Sequence, residues 1–209
     1  WGQDDLVAAA RSGAHGVLLP KVESAEQVQQ ADALLTASGA PGDQAIWCMM
    51  ETPKGILRAE EIAGSSPRLG GLVMGTSDLA KDLHAAHTAM RLPMLVSLGQ
   101  CLLAARAFGL AILDGVHLDL EDEEGFRDSC RQGRELGFDG KTLIHPKTIG
   151  DANDIFAPSP AELAWAEKII AAYEEAKAGV VVVDGKLVEQ LHVEAARRTM
   201  SLAEQIRRR

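Results

Sequence analysis

Apolar residues in this chain fall into short runs, separated by longer stretches with helical spacing. Five runs read as strands: residues 16–20, 45–50, 71–74, 111–117 and 141–145. They are near-continuous rather than alternating, the pattern of strands covered on both faces. Helical periodicity covers residues 4–12, 25–37, 54–63, 95–108 and 125–136. Ser24-Ala25-Glu26-Gln27 reads as a capping box opening the second of these. Strands alternating with helices predict a parallel sheet. Farther on, Ser159, Pro160 and Glu162 mark the start of a long helix reaching about residue 178. Val180–Val183, the turn Asp184-Gly185, Lys186–Glu189 and a final helix over 193–209 complete the pattern.

Two of the apolar runs end in acids. Ala45–Met50 leads into Glu51-Thr52-Pro53, and 71–74 leads into Gly75-Thr76-Ser77-Asp78. A strand, a helix and a second strand form a βαβ unit, so both carboxylates belong at the C-terminal edge of one parallel sheet. Neighbouring strands lie about 4.8 Å apart. Two carboxylates there can share one hard cation, and oxygen ligands with positions left for water and substrate suit Mg2+. Taken singly, each acid reads as a solvated loop residue; their pairing at corresponding strand ends is what raises them. Asp82, one turn on, is a competing ligand placed near the start of the following helix.

Other candidates are weaker. Lys21 and Glu23 follow the first strand, where Lys21 can meet an anionic substrate or the Glu51 side of the site, or stand exposed. His145 and Pro146 follow the fifth strand, and a lone histidine there is more often a hydrogen-bonded structural residue. Gly140-Lys141-Thr142 resembles the tail of a phosphate-binding loop, but Glu135 stands where that motif needs glycine and a strand follows instead of a helix. Asp184-Gly185 reads either as a hairpin turn or as a carboxylate carried on a C-terminal flap.

Composition narrows the function classes. A net charge of −9 argues against a nucleic-acid partner. No apolar stretch approaches the roughly 20 residues of a membrane span, and no signal peptide is recognised. The three cysteines lack metal-site spacing, and none of the six histidines has zinc-type spacing with another ligand. Scattered thiols favour a reducing, cytoplasmic setting. The chain opens on Trp1 in a helix-like stretch, and five βα units do not close an eight-stranded barrel of about 250 residues. The expected architecture is a (β/α)8 barrel-type parallel sheet lacking its N-terminal strands. Residues 1–157 would form the barrel domain and 158–209 a helical and flap extension.

Leu19-Pro20-Lys21-Val22-Glu23-Ser24, Met50 to Leu57, Gly75 to Leu83, Gly137 to Pro146 and Val183 to Lys186 together resemble the citrate lyase β-subunit/malyl-CoA lyase family, within the HpcH/HpaI aldolase superfamily. The resemblance implies a Mg2+-binding barrel that makes or breaks carbon–carbon bonds in CoA thioesters such as malyl-, citramalyl- or citryl-CoA, releasing acetyl-CoA and a 2-oxo acid. It implies Glu51 and Asp78 as metal ligands. It also implies Asp184 as an acid/base carboxylate serving a neighbouring subunit, hence a homotrimer or a multiple of three. Lys21, Glu23, His145 and Pro146 lie within these segments and are the candidate substrate-binding residues. The family's N-terminal third carries an arginine that holds the substrate, and this chain has no counterpart. Three rival readings are an aldolase acting on free 2-oxo acids, a non-catalytic assembly subunit that keeps the fold, and thioester hydrolysis at the same site.

Overall fold

The computed structural model describes residues 2–176 and 179–208. Two compact units divide between Ala152 and Asn153. The first holds α1 (Gly2–Ala10), β1 (Gly16–Leu19), α2 (Ala25–Ala37), β2 (Ala45–Met50), α3 (Pro53–Leu57), α4 (Ala59–Ala63), β3 (Leu69–Met74), α5 (Thr76–Asp82), α6 (Leu95–Ala107), β4 (Ala111–Asp114), α7 (Glu123–Leu136) and β5 (Gly140–Lys141). The division falls within α8 (Ile149–Phe156). The second unit continues with α9 (Pro160–Ala176), β6 (Val180–Val183), β7 (Lys186–Glu189) and α10 (Gln190–Arg207). The expected helix end at residues 177–178 and the terminal Arg209 lie outside the described residues.

The five strands of the first unit are all parallel and run in the order β1-β2-β3-β4-β5. Each strand lies beside its predecessor, and crossovers of one hand then put the helices on one face. This is the winding of a barrel sheet, here open between β1 and β5 among the described residues. Burial follows the same logic. Ile46, Cys48 and Met50 are fully buried, whereas the intervening Ala45, Trp47 and Met49 are only partly covered. The expectation of strands covered on both faces holds for β3, buried along nearly its whole length, and is corrected for β2: helices cover one of its faces, and the other is left half-open. Trp47 lies on that second face across glycines of both neighbouring strands. A Cβ at Gly71 would come within 2.4 Å of the indole and one at Gly70 within 3.3 Å, and one at Gly16 would meet it at 3.4 Å.

Several element boundaries differ from the sequence reading. The expected helix over residues 54–63 is two short helices broken at Arg58; the first starts at Pro53, where Thr52 caps its first turn. The fourth strand stops at Asp114 and the fifth holds only Gly140 and Lys141; the apolar residues 142–145 continue as loop. Ser24 sits at the N-cap of α2 without a side-chain cap bond, and Gln27 instead accepts the Glu23 amide at 2.6 Å. The box is shifted by one residue. At α9 the sequence signal holds, with Ser159 and Glu162 bonding reciprocally at 2.7 and 3.2 Å. Helix α8 was not anticipated.

The second unit has its own core of Ala166, Ile169, Val183, Val188, Val193 and Ala196. Its two strands form an antiparallel hairpin joined through Asp184 and Gly185, both at positive φ (48° and 75°). That is the two-residue turn whose twist suits a hairpin. Among the described residues no helix is long and apolar enough to cross a membrane.

Candidate active site

The C-terminal edge of the sheet carries the site, and each part of its sequence has a local reason. Glu51 directly follows β2 and is 7% exposed. Thr52 accepts the Gly55 amide at 3.1 Å, which starts α3 directly after the strand. Gly55 is needed because a Cβ there would lie 2.3 Å from the Val22 carbonyl oxygen. Beyond β3, the Gly75 amide donates to the Met50 carbonyl at 3.0 Å, tying the two strand ends together. A Cβ on Gly75 would lie 2.4 Å from the Glu51 Cβ and 2.7 Å from its Oε2, so glycine leaves the space the Glu51 side chain fills. Asp78 then falls in the first turn of α5, where the helix dipole favours an anion. Asp82 is the last residue of that helix rather than near its start, 3.6 Å from Lys81.

Lys21 joins the two carboxylates. Its backbone N–H donates to Glu51 Oε1 at 2.8 Å, and its ammonium donates to Asp78 Oδ1 at 2.6 Å. Lys21 has φ of 49°, left-handed for a residue that is not glycine. Such geometry is uncommon and worth a functional question. The described non-glycine residues with this backbone are Lys21, His84, Arg91 and Asp184, two of which are sequence candidates. The hydrogen bond to Asp78 raises the Lys21 pKa above the usual lysine value, and the same bond lowers that of Asp78. Both groups are solvent-facing, with side-chain exposures of 55% and 41%.

Glu23 pairs with Lys54 at 3.1 Å, which holds its carboxyl below the usual range. The Glu23 carbonyl also accepts from Arg58. His145 is exposed and caps a single 3-10 turn over Pro146–Thr148, its Nδ1 accepting the Lys147 amide at 3.1 Å. Pro146 is the first residue of that turn. The surrounding motif has structural duties as well: Gly137 ends α7 at φ 104°, and Asp139 binds Arg106 and the Ile112 amide. Lys141 is fully buried against Asp114, 2.9 Å away. Both Asp114 oxygens also accept from the Arg91 Nη1, at 2.7 and 2.8 Å. The sequence reading missed this triad; the signal was an Asp inside one apolar run and a Lys opening the next.

In the second unit, Asp184 receives Lys168 of α9 on both oxygens at 2.6 Å. No spacing in the sequence announces that partner.

The donors suit a hard divalent cation. Two carboxylates stand at adjacent strand ends, a glycine cradles Glu51, and a lysine ammonium already pairs with Asp78. The buried Ser77 hydroxyl, next to Asp78, has no hydrogen-bond partner among the described residues. No group of three or more His, Cys, Asp or Glu residues converges on a metal position among the described residues.

The chain is similar to proteins of known sequence and structure. The family profile of HpcH/HpaI aldolase/citrate lyase matches residues 1–146. The chain is 52% identical to a (3S)-malyl-CoA thioesterase of Cereibacter sphaeroides, covering 99% of this chain and 71% of the relative. It is 34% identical to the citrate lyase subunit beta of Escherichia coli, over 98% and 70% of the two chains. Among solved structures, CitE from Mycobacterium tuberculosis in complex with magnesium, acetoacetate and coenzyme A superposes with a TM-score of 0.80 at 31% identity, over 96% and 73%.

Proposed function

The chain belongs to the HpcH/HpaI aldolase/citrate lyase family, and from that premise we propose that it is a Mg2+-dependent enzyme acting on a malyl-type 3-hydroxyacyl-CoA thioester. The observation that carries this reading is the Glu51–Asp78 pair at one sheet edge, held by the backbone N–H and the ammonium of Lys21 at 2.8 and 2.6 Å. Glu51 and Asp78 would hold the metal, leaving positions for substrate oxygens. When bound, Mg2+ supplies Lewis-acid polarisation of those oxygens and offsets developing negative charge.

The finer reaction we propose is hydrolysis of the thioester, in line with the relative 52% identical. Water adds to the thioester carbonyl, the C–S bond breaks, and the products are the free hydroxy acid and CoA thiol. A carboxylate must take the proton of the attacking water, and Asp184 is the candidate. The second reading is carbon–carbon cleavage to acetyl-CoA and a 2-oxo acid, which the citrate lyase relatives favour. Asp184 would then deliver a proton to the acetyl carbon, or remove it in reverse. Lys21 would meet the substrate's carboxylate. Action of Asp184 on another copy's site, a trimeric assembly and a cytoplasmic setting belong to the same proposal; three unpaired, buried cysteines suit that setting.

Malyl-CoA incubated with the protein and Mg2+ separates the readings. Free thiol without glyoxylate is expected from hydrolysis. Glyoxylate and acetyl-CoA without thiol would identify the lyase. Neither product, with Mg2+ bound, would refute the CoA-thioester substrate.

A further inference from the structure

Two carboxylates at neighbouring strand ends repel each other when both are ionised, and something must offset that charge before any metal arrives. Lys21 meets the need twice over. Its main-chain N–H holds Glu51 and its ammonium holds Asp78, at 2.8 and 2.6 Å. The left-handed turn at Lys21 lets one residue serve both acids. The two contacts differ in kind. The N–H is fixed by the backbone after β1, while the ammonium sits on a flexible side chain 55% exposed to solvent. A divalent ion shared by Glu51 and Asp78 competes with the ammonium for the Asp78 carboxylate, whose Oδ1 the ammonium now holds, and it repels that ammonium at close range.

We infer that Lys21 is a resident counter-cation that stands in for the metal on Asp78 and is displaced when a divalent ion binds, freeing its ammonium for an anionic substrate. The inference rests on the metal-site reading. It orders the events, with metal before substrate. It also separates two roles of one residue, because the backbone contact to Glu51 survives the exchange while the side-chain contact does not. Removing the ammonium then tightens metal binding, which is the opposite of what loss of a structural residue or of a ligand would do.

Calorimetric titration of the full chain with MgCl2 tests this, with Lys21→Met and Lys21→Gln measured beside the wild type and Asp78→Asn. An exposed ion pair of this kind, once removed as a competitor, corresponds to about a two- to five-fold gain in affinity. The expected result is Mg2+ bound two- to five-fold more tightly by both Lys21 variants and lost in Asp78→Asn. If Asp78→Asn loses the ion while the Lys21 variants bind it equally or more weakly, the exchange is wrong and the metal site stands. If the wild type binds no Mg2+, both fall. Unfolding curves accompany each titration, and Lys21→Gln carries the test if Lys21→Met folds poorly.

Discussion

Substituting Gly75 with alanine probes how the fold builds the site. The added Cβ would lie 2.4 Å from the Glu51 Cβ, 2.7 Å from Glu51 Oε2 and 3.2 Å from the Met49 side chain. Optimal carbon–carbon separation is about 3.5–4.0 Å, so the closest contact overlaps by roughly 1 Å or more. A new rotamer of Glu51 relieves the oxygen contact but not the Cβ contact. The ends of β2 and β3 must therefore part, against the bond from the Gly75 amide to the Met50 carbonyl. Overpacking of this kind costs about 1–3 kcal/mol, or roughly 2–12 °C in melting temperature for a chain of this size. The Glu51 carboxylate moves with its backbone, and disturbing the support of a metal ligand typically weakens binding about 10–100-fold. The assay is thermal unfolding with Mg2+ titration, and Gly99→Ala is the control. Gly99 lies within α6 with nothing inside 4 Å of its Cβ position, so alanine there is neutral or stabilising. A Gly75→Ala protein that melts and binds Mg2+ like the wild type would refute the argument.

Three further outcomes follow from the same structure. Asp114→Ala leaves Lys141 and Arg91 without their anion and lowers stability by about 3–5 kcal/mol in urea, more than Lys141→Met, which leaves Asp114 on Arg91; a loss below about 1 kcal/mol would contradict this. Burial pushes the thiols of Cys48 and Cys101 up to about 12 and that of Cys130 to about 11, so iodoacetamide at pH 7 labels none of them in the folded protein and all three in denaturant, as read by intact mass. Asp184→Asn abolishes turnover and preserves Mg2+ affinity; full activity would return Asp184 to the role of a hairpin turn.

The sequence was most legible where one pattern decided the structure alone. The second helix was read at both ends as Ala25–Ala37, and β2 as Ala45–Met50, because each is bounded by turn residues. The meeting of Glu51 and Asp78 at one edge was legible too, since parallel pairing of Met50 with Met74 aligns the two strand ends. Reading failed where tertiary partners overrode local pattern. Residues 142–145 look like strand, yet the Thr142 amide and hydroxyl both bond to the Asp114 carbonyl and the ladder ends there. Gln27 passed over Ser24 for the Glu23 amide. The roles of Lys21 on Asp78, Arg91 on Asp114 and Lys168 on Asp184 join residues 57, 23 and 16 positions apart. No local periodicity carries such pairings. Motif resemblance marked Lys21 and Asp184, and it left the structural work of Lys141 and Asp139 unread.

The central claim is that Glu51 and Asp78 together hold a catalytic divalent ion. Its most direct test is Mg2+-dependent turnover of malyl-CoA, with Mg2+ affinity measured on the same preparations, for the wild type, Glu51→Gln and Asp78→Asn. The account predicts that each variant folds, binds Mg2+ at least tenfold more weakly and loses turnover at Mg2+ concentrations that saturate the wild type. Wild-type Mg2+ affinity and turnover in both variants would contradict it.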